Sequence, residues 1–154
     1  MRELRLVAGL LERNGSFLLV ASRYPNHAKP LWQLPGGRPQ AGELLHEALA
    51  RELAEETGLS ASVEQLLYVS ESFDHSTDTH IISTTFSVRG EGEARLPMAD
   101  AHIVDLAWVP REKALTRITT PVLREPLAAH LRGDARRYYS FAEAGITIAF
   151  ADHP

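Results

Sequence analysis

Glu52, Glu55 and Glu56 stand at i, i+3 and i+4, so a helix through them carries three carboxylates on one face. Three like charges side by side repel one another, and the arrangement calls for a cation. Hard divalent cations prefer oxygen ligands; Mg²⁺ takes few carboxylates and completes its shell with water and substrate phosphates. An acidic helix face beside a glycine turn, here Gly36-Gly37, therefore suits a metal and a diphosphate. The two glycines let backbone approach a ligand or metal closely, with no side chain in the way. Arg51, next to the cluster, has a planar and permanently charged fork suited to neutralising and orienting Glu43 or one of the helix glutamates. A solvated amphipathic helix also presents a glutamate-rich face, and three glutamates by themselves favour that plainer reading.

The elements that must position these groups follow from pattern. Residues 44–57 read as a helix: Leu45, Leu49 and Leu53 repeat at four, and Gly58 stands where a helix C-cap belongs. Leu44 follows Glu43 where a capping Ser or Thr would be more favourable. Upstream, residues 4–11 and 17–21 read as strands joined through Asn14-Gly15, the strongest short hairpin signal. A loop with two prolines, the stretch 31–34 and a turn at residues 35–37 lead into the helix. Downstream, residues 63–69, 81–88 and 103–109 read as strands, with a turn at 89–92 and a stop at Pro110. Thr119-Thr120-Pro121 opens a second helix to about Leu131, with Pro126 expected to kink or break it. Residues 138–150 follow no clear pattern. Strands on both sides of a buried helix, with a later helix, predict an α+β sandwich of layers.

The chain has 154 residues, 44% hydrophobic and 23% charged, a globular composition that fits a single domain over 1–154. Net charge is −4 and cysteine is absent, so disulfides, thiolate zinc sites and cysteine nucleophiles are excluded. No apolar run approaches the ~20 residues of a membrane span, and no signal-peptide core is present. The expectation is a cytoplasmic protein that takes a small-molecule ligand, with no membrane partner and no nucleic-acid polymer. An oligomer is possible, but no pattern encodes its state.

The stretch Gly37 to Leu59 places Gly37, five residues, Glu43, seven residues, then Arg51-Glu52-Leu53-Ala54-Glu55-Glu56-Thr57-Gly58-Leu59. This spacing resembles the Nudix hydrolase signature at every specified position. Leu34-Pro35-Gly36-Gly37, the N-terminal hairpin and Trp108-Val109-Pro110 are similar to the family's flanking elements. The resemblance implies an α/β/α sandwich with a mixed sheet and the signature as loop–helix–loop. It implies hydrolysis of a nucleoside diphosphate linked to another moiety, with Mg²⁺ or Mn²⁺. Carried over, Glu52, Glu55 and Glu56 would be metal ligands, helped by a backbone carbonyl at Gly36 or Gly37. Glu52 or Glu55 would deprotonate the attacking water, and Arg51 and Glu43 would hold the glutamates in place. Family members often supply a further acidic group about six residues before the late tryptophan. His102 stands there in this chain, with Asp100 and Asp105 nearby, and could be a metal ligand, a base or inert.

Markers of family subgroups downstream of the signature are missing, which favours nucleoside di- or triphosphates, modified ones included, over nucleotide sugars and dinucleotides. Arg23 and Lys29 are candidates for phosphate, Phe73 and Trp32 for base stacking, and residues 74–80 for a pocket border. Two rivals remain. One is a catalytically silent domain that binds a nucleotide or a protein. The other is chemistry on a diphosphate-bearing lipid precursor, disfavoured by the absent cysteine.

Overall fold

β1 (Arg2–Arg13) is the strand on which the rest assembles in the computed structural model, which describes residues 1–97 and 102–149. Along one edge it pairs in parallel with β6 (Thr79–Glu91), from Arg2 opposite Thr79 to Leu11 opposite Val88. Its other edge is shared. Val7 and Ala8 pair with the two-residue β4 (Gly36–Gly37), and Glu12 and Arg13 pair with β2 (Ser16–Ser22). The β1–β2 turn holds Asn14 and Gly15 at φ 53° and 78°, the left-handed pair that the Asn-Gly dipeptide predicts.

The sheet runs β3–β2–β1–β6–β5–β8, with β4 also on β1 and β7 also on β2. Here β3 is Leu31–Gln33, β5 is Ser60–Asp74, β7 is Ile103–Pro110 and β8 is Tyr138–Phe141. β1–β6 and β5–β8 are parallel and the other pairs antiparallel, so the sheet is mixed. Alternation along each strand sends side chains to two faces. Val7, Leu11 and Leu18 meet Ala48, Leu49 and Leu53 of α1 (Leu45–Thr57) on one face. Leu10, Phe17 and Leu19 meet Ala114 and Ile118 at α2 (Arg111–Arg117), and Leu127 of α3 (Pro121–Leu131), on the other. This is the expected α+β sandwich. Each leucine fully buried there contributes roughly 1.5–3 kcal/mol.

Several local expectations change. Residues 89–91 continue β6, and the chain turns only at Gly92. Gly90 was a turn signal in sequence, but a Cβ there would sit 2.6 Å from Leu11 Cδ1, so the glycine serves close packing inside a strand. Pro110 ends β7 and leads directly into α2, whose seven residues bury only Ala114 and leave too little periodicity to read. α3 runs unbroken through the buried Pro126. The unpatterned C-terminal stretch supplies β8, which pairs with β5 from Val69 opposite Tyr138. No helix among the described residues is long and apolar enough to cross a membrane.

The glycine pair is strand rather than turn. A Cβ on Gly36 would lie 1.9 Å from the Val7 carbonyl oxygen, so β4 can sit on β1 only without a side chain there. Gly36→Ala is therefore expected to destabilise the protein by ~3 kcal/mol, read as a lowered urea midpoint. A midpoint equal to the wild type's would mean that β4 does not lie on β1 as described.

Candidate active site

α1 is fixed in rotation by Leu49 and Leu53, both fully buried, and its carboxylates therefore project from a defined face. Its start is ordered without a hydroxyl cap. The Leu44 N–H donates to Glu47 Oε1 at 2.8 Å, which satisfies one of the free helix-end donors. In the loop before it, Gln40 N–H donates to Glu43 Oε1 at 2.7 Å and Glu43 N–H to the Gln40 carbonyl at 3.0 Å. Glu43 is thereby held toward the helix.

Arg51 joins these pieces. Its Nε and Nη2 donate to the two oxygens of Glu43 at 2.7 and 2.9 Å, a bidentate fork. Nη1 reaches Glu52 at 3.1 Å and Glu55 at 3.3 Å, and Nη2 also donates to the Arg38 carbonyl at 3.1 Å. Hydrogen bonds from Arg51 first, then from the Gln40 N–H, pull the Glu43 carboxyl down to about 2. The same bond to Glu43 leads the causes that raise Arg51 above its ordinary value.

Glu56 is 3% exposed, and its Oε1 accepts the Gly36 N–H at 2.8 Å. Glu52 lies against Gly37: a Cβ on that glycine would stand 2.5 to 2.7 Å from the carboxylate atoms of Glu52. The two glycines thus make room for β1 and for Glu52 respectively. All five acidic and basic signature side chains, with Gly37, are brought together.

The cluster opens onto a cleft of about 1260 Å³, large for a small-molecule site. Glu52, Glu55, Glu56 and Arg38 line one part of it. Ser70 and Ser72 of β5, with Ser83 and Thr85 of β6, line it along the sheet. Ile118, Val122, Ile146 and Ile148 give it apolar walls. His102 lines the same cleft, edge-on to Tyr24 with ring centroids 5.0 Å apart, and its Nδ1 is 3.2 Å from the Arg23 carbonyl oxygen. Burial raises the Tyr24 hydroxyl above its ordinary value, and Gln33 donates to it at 2.9 Å. Asp100 lies outside the described residues. Asp105 is exposed and accepts the Leu106 N–H.

Other sequence candidates separate. Asp74, Thr77 and Thr79 line the cleft, whereas Arg23, Lys29, Phe73 and Trp32 do not. Phe73 stacks on His80 at 4.7 Å, and Trp32 lies under the Arg117 guanidinium at 4.8 Å. Tyr24, Gln33, the hydroxyl row and residues 144–148 were missed. Only the alternation of small hydroxyl residues in β5 and β6 could have flagged any of them.

The NUDIX domain family model matches residues 2–130. The chain belongs to the Nudix hydrolase family. It is 37% identical over 108 residues to an ADP-ribose pyrophosphatase of Methanocaldococcus jannaschii, a match covering 68% of this chain and 63% of that protein, so the chain spans less than two thirds of that relative's length. It is 30% identical over 129 residues to the phosphatase NudJ of Escherichia coli strain K12, covering 82% of each. Among solved structures, a NUDIX hydrolase from Nitrosomonas europaea superposes with a TM-score of 0.74 at 26% identity, covering 89% of this chain and 93% of that one.

Nudix hydrolases generally use a divalent metal, and the donor chemistry here fits one. Among the described residues no three His, Asp or Glu side chains already converge as a metal cage. Carboxylates are the oxygen donors a hard divalent cation prefers, and such a cation completes its shell with water and substrate phosphate oxygens.

Two predictions follow from this geometry. The atoms nearest a Cβ on Gly37 are those at the end of the Glu52 side chain, so in Gly37→Ala the melting temperature should stay within a few degrees while hydrolysis falls about 100-fold, as for a group displaced by about 1 Å; unchanged turnover would show that the Glu52 position is immaterial. The Glu43 carboxyl lies at about 2 in the folded protein against an ordinary 4.5. Its contribution to stability is therefore fully present above pH 4.5 and is lost as pH falls through about 2. The stability gap between wild type and Glu43→Gln should be constant from pH 5 to 7 and shrink below about pH 4; a gap that widens on acidification would reverse the sign.

Proposed function

We propose that this Nudix hydrolase cleaves a phosphoric anhydride in a small nucleoside diphosphate-containing molecule, by attack of water on phosphorus with Mg²⁺ or Mn²⁺. The observation that carries the reading is the row of Glu52 and Glu55, ordered by Arg51, and Glu56, held by the Gly36 N–H, lining a deep cleft. Glu52, Glu55 and Glu56, with the Gly37 backbone carbonyl, would hold the metal. When bound, the metal neutralises the bridging phosphates and lowers the pKa of the attacking water. Glu52 or Glu55 takes the proton of that water at a carboxylate oxygen. Arg51 and Glu43 act through the other glutamates by fixing their position, and Arg38 brings a cation to the same part of the cleft.

Nucleoside di- and triphosphates, modified ones included, are the leading substrates. The likeness to an ADP-ribose pyrophosphatase favours a second class, nucleotides whose diphosphate bears a sugar. Product analysis with Mg²⁺ over nucleoside di- and triphosphates, oxidised nucleotides, nucleotide sugars and dinucleotides tests the proposal. The expected result is release of a nucleoside monophosphate from one class, reduced about 100-fold or more in Glu55→Gln and Glu56→Gln. Absence of turnover across the panel, with Mn²⁺ also tried, would favour a binding protein instead.

A further inference from the structure

Residues 142–149 lie beyond the stretch that matches the family, yet they form part of the cleft. Ala144, Ile146 and Ile148 line it, while Thr147 between the two isoleucines is fastened on both sides. The Thr147 carbonyl accepts Asn26 Nδ2 at 2.5 Å and lies 2.8 Å from His27 Nε2. Its hydroxyl bonds Ser76 Oγ at 2.6 Å and Asp74 Oδ1 at 3.3 Å. Asn26 Oδ1 also accepts the Ala149 N–H at 2.9 Å, and the Ala144 N–H donates to the Phe73 carbonyl at 2.7 Å. The segment is therefore a strap bonded to two separate loops, presenting every second side chain to the cleft.

The chamber it walls has a definite chemistry. Thr85 is opposite Ala8, which pairs with Gly36, and Thr79 is opposite Arg2. At about 3.3 Å per residue, the chamber extends ~20 Å along β6 from the signature glycines. Between those ends the sheet offers the hydroxyls of Ser70, Ser72 and Ser83; the strap adds Ile146 and Ile148 to the lining, with Thr147 between them bonded to Asp74, opposite Thr79. Away from the signature, the charged groups lining it among the described residues are Arg2, Asp74 and, if protonated, His102. Burial alone would raise the Asp74 carboxyl, but hydrogen bonds from Ser76, Thr77 and Thr147 outweigh it and hold the group ionised. One cation and one anion at the end of a hydroxyl-and-aliphatic chamber favour a flat or ring-shaped neutral group with hydrogen-bonding edges.

Resting on the reading that the signature takes the diphosphate, we propose that the strap at 142–149 is the specificity wall of this enzyme: Ile146 and Ile148 close the chamber over the hydroxyl row, so that it selects a neutral nucleoside moiety attached to the diphosphate. Asn26 is a positioning residue for that wall.

The test is calorimetric titration with Mg²⁺ and non-hydrolysable α,β-methylene diphosphates of adenosine, guanosine, cytidine and uridine, against methylenediphosphonate as the nucleoside-free probe. Wild type should bind at least one nucleoside analogue 10-fold or more tighter than methylenediphosphonate. The Ile146→Ser/Ile148→Ser double variant should lose that margin, and Asn26→Ala should reduce it, with melting temperatures confirming that each is folded. If the double variant does not fold, Asn26→Ala alone decides. No nucleoside margin in wild type, or a margin unchanged in folded variants, overturns the proposal. Failure of the hydrolase reading shows separately, as a nucleoside margin in a protein that hydrolyses nothing.

Discussion

The site depends on one guanidinium. Three carboxylates, those of Glu43, Glu52 and Glu55, face one side chain and would repel one another without a fixed positive centre. Arg51 supplies it, with donors shared among Glu43, Glu52, Glu55 and the Arg38 carbonyl. A lysine has the charge but not the planar fork that meets both oxygens of Glu43 while facing two further glutamates. Burial keeps these bonds effective: Arg51, Glu43 and Glu52 are each about one-fifth exposed or less, whereas Glu55 is half exposed at 53%. The order produced is geometric. A paired charge in a partly dry site adds little net stability, but it restricts the carboxylates to one arrangement.

That arrangement is only as good as the seat of α1. β1 sets it from two directions. Val7 and Leu11 pack beneath Leu49 and Leu53, which fixes how the helix is turned. The Val7 and Ala8 backbone carries β4, which brings the Gly36 N–H to Glu56 and the flat face of Gly37 to Glu52. The hydrophobic core and the acidic cluster are therefore coupled through a two-residue strand. Strand pairing, rather than the loop itself, delivers the glycines to the glutamates.

The local part of this was legible in the sequence. Helix spacing places three glutamates on one face, the leucine repeat gives the buried side, and the full signature spacing names the family. The same information misassigned the glycines at residues 36 and 37 as a turn, because strand pairing with β1 is a contact between segments far apart in the chain. Distance hid the rest as well. Asn26 meets Thr147 across 121 residues, and neither has a periodic neighbour to betray it. Arg23 and Lys29 looked like phosphate ligands because they are cationic and near the signature, but they do not line the cleft, whereas Arg38, inside the signature loop, does. Phe73 looked like a base platform, but strand alternation turns it to the opposite face from Ser72 and Asp74.

The central claim is that Arg51 arranges the glutamates so that they hold a divalent metal. It is tested most directly by Mn²⁺ titration of wild type and Arg51→Lys, followed by the loss of the free-ion paramagnetic resonance signal. The account predicts binding by the wild type and affinity lowered at least 10-fold in Arg51→Lys, with both proteins equally folded. Equal Mn²⁺ affinity in the two proteins would contradict it.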